Sequence, residues 1–256
     1  MARWWSARLT ALIVFAAIAL PALAQDYARE ARWQAEVLGN LVVGDAVQIP
    51  GASGRRFLGL HTEGAPGRPA VLIVHGIGVH PDHGVIGSLR VALADMGFTT
   101  LSIQMPVLAA DAKVEDYHPA LFPEAAQRLA AAADWLRGRG HKRIVLASHS
   151  LGSWMSEYYL ETAKRNAFVG WACMGRGGEL RLGGLAIPVL DVYGEQDLPA
   201  VLKSAAARRA ALARIPGSSQ VMIAGADHFY TGKEDELAQV LRKFILGLPA
   251  QDPVSR

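Results

Sequence analysis

Short apolar runs alternate with longer amphipathic stretches from residue 69 onward, and few folds accept that alternation. Strands buried on both faces read as unbroken apolar runs, while helices packed over them carry one apolar stripe. A chain that alternates the two is expected to wind a mostly parallel sheet between two helical layers, an α/β fold. The runs place strands at 70–74, 99–103, 143–147, 167–173, 189–193 and 221–224. The clearest helix, 234–246, carries Leu237, Val240, Leu241, Phe244 and Ile245 at the three-and-four spacing of a single buried face. A second, 123–137, is rich in alanine and closed by Gly138 and Gly140. Ahead of these, 42–49 and 56–62 flank the turn Pro50-Gly51-Ala52-Ser53-Gly54, which predicts an antiparallel hairpin on the sheet edge.

The first twenty-four residues read as an address. Arg3 and Arg8 supply a positive start, 9–20 an apolar core, and Ala22-Leu23-Ala24 a small-residue cleavage site, the layout of a secretory signal peptide. The apolar core is short of the ~20 residues a membrane span needs. No cysteine follows it to accept a lipid, so no stable membrane anchor is expected after cleavage and the mature protein is placed in the periplasm or outside the cell. Removing Arg3 and Arg8 from the 26 basic residues leaves 24 against 23 acidic ones, so the apparent basicity is mostly targeting and gives no case for a nucleic-acid partner. Residues 25–256 suit one α/β domain. The single cysteine, Cys173, rules out an intrachain disulfide and reads as a buried small hydrophobe.

Nothing divides this domain. About a dozen residues separate the strand ending near Gly175 from the one starting near Ile187, too few for a helical cap, and Gly177, Gly178, Gly183 and Gly184 make the connection a mobile loop. The irregular stretch 104–119 is the remaining candidate for a partial lid. A site at the carboxyl ends of the strands is then expected to be open.

Ser148-His149-Ser150-Leu151-Gly152 follows the apolar run 144–147 and precedes a helix-like stretch from Leu151. A serine at a sharp strand-to-helix turn is lifted clear of the sheet, and the next amide, that of Leu151, is free to donate to an oxyanion. Such an elbow wants small residues two positions either side of the serine; here Ser148 stands where glycine is usual. A serine nucleophile needs a base, and the base an orienting acid. Asp197 comes after the strand 189–193, and His228 follows the last strand, in the order acid then histidine. Asp197 also precedes Leu198-Pro199 and could cap the next helix; Asp191 and Glu195 are competing acids, set further from the imidazole's reach. His75-Gly76-Ile77-Gly78 follows the strand 70–74, where the backbone of Ile77 or Gly78 would supply the second oxyanion donor. His149 reads as packing beside the nucleophile. Met105, Tyr117, Met174 and Phe229 lie on loops beyond strand ends and are candidate pocket walls.

Together, Ser150 in its elbow, Asp197, His228 and the His75-Gly76 loop resemble the α/β-hydrolase superfamily over about residues 40 to 246. Within that span, His75-Gly76-Ile77-Gly78-Val79-His80-Pro81-Asp82, Val85-Ile86-Gly87-Ser88-Leu89 and Thr100-Leu101-Ser102-Ile103-Gln104-Met105-Pro106 resemble a family of secreted bacterial α/β hydrolases. The resemblance implies the α/β-hydrolase fold; the short connections predict no substantial cap domain, and no cofactor is expected. It also implies attack by serine on an ester or related acyl group, through an acyl-enzyme that water hydrolyses; the open site expected from the loop lengths suits a small-molecule or polymeric ester substrate.

Two rival readings stay open. His75, His80, Asp82 and His83 could hold a metal for a metal-dependent hydrolase, although their spacing matches no common zinc motif and Pro81 keeps a helix from presenting His80 and His83 together. The fold could also serve a catalytically inactive binding protein of the cell envelope, since a fold by itself guarantees no activity.

Overall fold

The computed structural model describes residues 25–51, 54–181 and 183–250; the signal-peptide segment 1–24 lies outside them. Eight strands form one sheet: β1 (Asp45–Pro50), β2 (Arg56–Thr62), β3 (Ala70–Val74), β4 (Thr99–Ile103), β5 (Ile144–His149), β6 (Gly170–Met174), β7 (Val189–Gly194) and β8 (Ser219–Ile223). Their order across the sheet is β1-β2-β4-β3-β5-β6-β7-β8. Strands β3 to β8 run parallel, and β2 pairs antiparallel with both β1 and β4, so the hairpin forms one edge.

Every residue of β3, β4, β5, β6 and β7 is buried, because helices cover both faces. Side-chain alternation along β3 divides the core. Ala70, Leu72 and Val74 pack with residues of α3 (Val114–Gly138) and α4 (Leu151–Thr162), whereas Val71 and Ile73 pack under α2 (Val85–Asp95) and α6 (Glu234–Gly247). Arg208 of α5 (Pro199–Leu212) makes a fully buried ion pair, 2.8 Å long, with Asp191. The mostly parallel sheet, its antiparallel edge hairpin and the two helical layers agree with the sequence reading. The β6–β7 connection holds no helix among the described residues, as its length requires.

Two segments differ from expectation. α3 begins at Val114 rather than near 123, so the irregular stretch shrinks to 104–113. Interior prolines cost a helix about 3 kcal/mol each, which is why the sequence reading stops at Pro123. Here Tyr117, Leu121, Phe122, Ala125 and Leu129 continue one buried face through both prolines, and burying large apolar side chains at about 1.5–3 kcal/mol each offsets that cost. A further helix, α1 (Tyr27–Asn40), precedes the sheet, capped by the Asp26 carboxylate accepting from the amide of Arg29 at 2.8 Å. Val37 packs on Leu58 and Leu60 of β2, and Glu30 pairs with Arg128 of α3 at 2.6 Å, so α1 is clamped to the hairpin side of the sheet. Among the described residues no helix is long and apolar enough to cross a membrane.

Candidate active site

Ser150 joins β5 to α4 with φ 53° and ψ −123°, a positive φ that only one other non-glycine residue among those described, Tyr230, shares. Strain of this kind persists only where the surroundings over-determine it. They do so here: the Ser150 amide donates to the Met174 carbonyl at 2.8 Å, and a Cβ at Gly152 would meet the His75 carbonyl oxygen at 2.3 Å. Ser148 fits the first small position of the elbow because its hydroxyl is used. It accepts from Trp171 Nε1 at 2.8 Å, and its carbonyl accepts from the Ser153 hydroxyl at 2.8 Å.

The loops after β7 and β8 meet this serine. His228 Nε2 lies 3.0 Å from Ser150 Oγ and Nδ1 lies 2.6 Å from Asp197 Oδ1. With Nδ1–H donating to the carboxylate, Nε2 is the acceptor for the serine proton. Burial acts to raise the Asp197 carboxyl, but bonds from His228 and from the amides of Gly194 and Leu198 outweigh it and hold the group below its ordinary value. The competing acids are engaged elsewhere: Asp191 by Arg208 and by Gln220 at 2.8 Å, Glu195 by the Gly225 amide at 2.8 Å. Asp197 does accept from the Leu198 amide at 2.7 Å, but the residue capping α5 is Leu198.

The loop after β3 presses on the elbow, where a Cβ at Gly76 would stand 3.3 Å from that of Ser150. Leu151 opens α4, so its amide has no acceptor within the helix. Ile77 and Gly78 follow on the same β3 loop, which is held from two sides. His75 Nδ1 donates to the Gly76 carbonyl at 2.8 Å and Nε2 accepts from the Met105 amide at 2.9 Å; burial pushes this imidazole down to about 3, so it stays neutral. Arg29 of α1 donates to the carbonyls of Gly78 at 3.0 Å and Leu108 at 2.8 Å. Sequence reasoning missed Arg29; the cap signal at Asp26 ahead of an amphipathic stretch was its available clue. His149 packs tilted on His228, their ring centroids 4.9 Å apart, and its Nε2 donates to the His228 carbonyl at 2.8 Å; burial pushes it down to about 4.

Three of the four candidate pocket walls need correction. Met105, Tyr117 and Met174 are sealed in the core at 0%, 1% and 0% exposure, because the apolar layers on either side of the sheet absorb them. Phe229 is 61% exposed and sits edge-on to His228 at 5.2 Å. Trp154, one turn along α4 from Ser150, is also exposed and shares a cavity of about 270 Å³ with Phe122, Tyr158, Glu157 and Arg181. The metal reading of His75, His80, Asp82 and His83 is not supported by their placement. Both His75 nitrogens are occupied, Asp82 pairs with Arg90 at 2.6 Å, and the four do not converge.

Residues 6–126 match a family described as a protein of unknown function (DUF3530). No curated protein sequence matches the chain significantly. Solved structures share its fold. Dienelactone hydrolase from Anabaena variabilis is 21% identical with a TM-score of 0.64, covering 80% of this chain and 97% of its own. Est1E from Butyrivibrio proteoclasticus is 17% identical with a TM-score of 0.61, covering 78% and 97%. A serine hydrolase without lid from Xanthomonas campestris is 17% identical with a TM-score of 0.60, covering 82% and 97%. At these identities the likeness shows the fold.

Proposed function

We propose that this chain, which has the α/β-hydrolase fold, is a serine hydrolase that cleaves carboxylic esters or a related acyl bond through an acyl-enzyme on Ser150. The observation that carries the reading is the unbroken line of hydrogen bonds from Ser150 Oγ through His228 to Asp197, at 3.0 Å and 2.6 Å, on a serine held at positive φ. His228 takes the serine proton as Oγ attacks the acyl carbon, and Asp197 stabilises the imidazolium that forms. The amide of Leu151, with that of Ile77 or Gly78, receives the oxyanion; donors of this kind contribute on the order of 3 kcal/mol each. The imidazolium returns its proton to the departing alcohol, and water then releases the acyl group by the same path.

The names of two of the solved neighbours, a dienelactone hydrolase and a serine hydrolase, support the acyl chemistry. The short β6–β7 connection supports an open site that admits bulky or polymeric esters, with Phe229 and Trp154 as exposed rings near the reacting groups. The arginine-led apolar segment ahead of Ala22-Leu23-Ala24 supports a periplasmic or secreted protein. A fluorophosphonate probe, followed by p-nitrophenyl esters of graded acyl length and one bulky ester on wild type and Ser150→Ala, tests the proposal. Labelling at Ser150 and loss of hydrolysis in the variant are expected. Folded protein that resists the probe would favour a binding role, and hydrolysis confined to short soluble acyl chains would sink the open-site reading.

A further inference from the structure

We propose that His61, Glu63 and His141 form a binding site for one divalent transition-metal ion of the zinc class, on the opposite rim of the sheet from Ser150. His61 lies near the end of β2, Glu63 just beyond it, and His141 in the turn before β5. Because β2 runs antiparallel to β4, with Thr62 opposite Thr100, its end lies where the parallel strands begin; Ser150, Asp197 and His228 lie past the ends of theirs. The two centres are therefore independent, and this inference does not rest on the proposed acyl chemistry.

The donor atoms converge without satisfying one another. Nε2 of His61 and Nε2 of His141 are both buried and have no hydrogen-bond partner. Each lies 3.4 Å from a different oxygen of Glu63, and all three donor atoms fall within 4.8 Å of one another. A separation of 3.4 Å is long for an N–H···O bond, whose usual length is about 2.9–3.0 Å. For one imidazole and the oxygen it faces, it matches the edge of a tetrahedron whose metal–nitrogen and metal–oxygen bonds are about 2.0–2.2 Å, and the remaining donor separations stay within 4.8 Å. Imidazole and carboxylate together suit zinc and its neighbours, and three protein ligands leave the fourth position to water.

The surroundings support the ligand positions. The Thr99 hydroxyl donates to Glu63 Oε1 at 3.2 Å and is itself fixed by the Gly64 amide at 2.9 Å, the kind of outer contact that orients a ligating carboxylate. Trp135 stands edge-on to His61 at 5.1 Å and screens that side. Glu63, 62% exposed in its side chain, leaves a path for an ion from solvent. Charge is mixed: Glu63 and Asp45 favour a cation, and Arg139 opposes it. A bound ion would tie the edge hairpin to the start of β5.

Untagged protein dialysed against zinc chloride is expected to retain about one ion per chain, and zinc is expected to raise its melting temperature. X-ray absorption of the loaded protein should show two imidazoles in the shell. Glu63→Gln and His141→Asn should weaken binding at least about tenfold, as losing even an outer contact does, and should abolish the thermal shift, while His80→Gln leaves both unchanged. If His141→Asn fails to fold, the exposed Glu63→Gln carries the comparison. Wild type that holds neither zinc, nickel nor copper, or folded variants that bind as tightly as wild type, would overturn the site.

Discussion

Nδ1 of His228 lies 2.6 Å from Oδ1 of Asp197, and the two residues, 31 apart in the chain, reach each other from the loops that follow β7 and β8. That bond selects one ring tautomer and leaves Nε2 facing Ser150. Asp197→Asn would preserve the shape and reverse the preference, since the amide can donate to Nδ1 and favour the wrong tautomer. We expect ester hydrolysis to fall by about 10³–10⁴ in kcat with KM little changed, measured by steady-state kinetics on a p-nitrophenyl ester.

Acid should weaken the fold through His75 and His149. Burial holds them at about 3 and about 4, whereas in the unfolded chain each protonates near 6.5. Between about pH 4 and 6.5 the unfolded chain therefore binds more protons, so stability rises with pH there and is lost as pH falls. Each histidine contributes a slope of up to about 1.4 kcal/mol per pH unit. Urea unfolding followed from pH 7 to pH 4 should show that decline, and His149→Gln should make it shallower.

The elbow tolerates change unequally. Ser148→Gly removes the acceptor for Trp171 Nε1 at 2.8 Å and is expected to cost about 1 kcal/mol of stability while leaving hydrolysis nearly intact. Gly152→Ala pushes a methyl to 2.3 Å from the His75 carbonyl oxygen, which must displace backbone in the β3 loop. Chemical denaturation and fluorophosphonate labelling of both variants should separate them, with labelling lost only for alanine.

Arg29 links α1 to the β3 loop through the Gly78 carbonyl at 3.0 Å. Arg29→Met keeps the apolar stem and removes both carbonyl contacts. A fall in kcat of several-fold or more, with the proportion of folded protein unchanged by circular dichroism, is the expected result, because loosening the loop would misplace the proposed oxyanion donor without touching the proposed nucleophile.

Periodicity and punctuation are local, and what depends on them was legible in the sequence. β3 and β4 stand at 70–74 and 99–103 as their apolar runs require, and α6 follows its three-and-four stripe. The serine, histidine and acid could be named as candidates because each closes a strand in sequence order. What lay beyond a local reading was anything decided by competition. The start of α3 turned on whether a buried face outweighs two prolines. Position along the chain already favoured Asp197 over Asp191 and Glu195, but not that Arg208, Gln220 and the Gly225 amide would engage the other two carboxylates.

The chain by itself determined the order of strands and helices, the glycines that tight turns demand, and a serine behind an apolar run, since these arise from neighbours in sequence. Only the tertiary structure decided that Met105, Tyr117 and Met174 are core, that Arg29 grips the β3 loop, and that His61, Glu63 and His141 face one another. Those relations depend on strand order and register across the sheet, which bring together residues that chain connectivity leaves far apart.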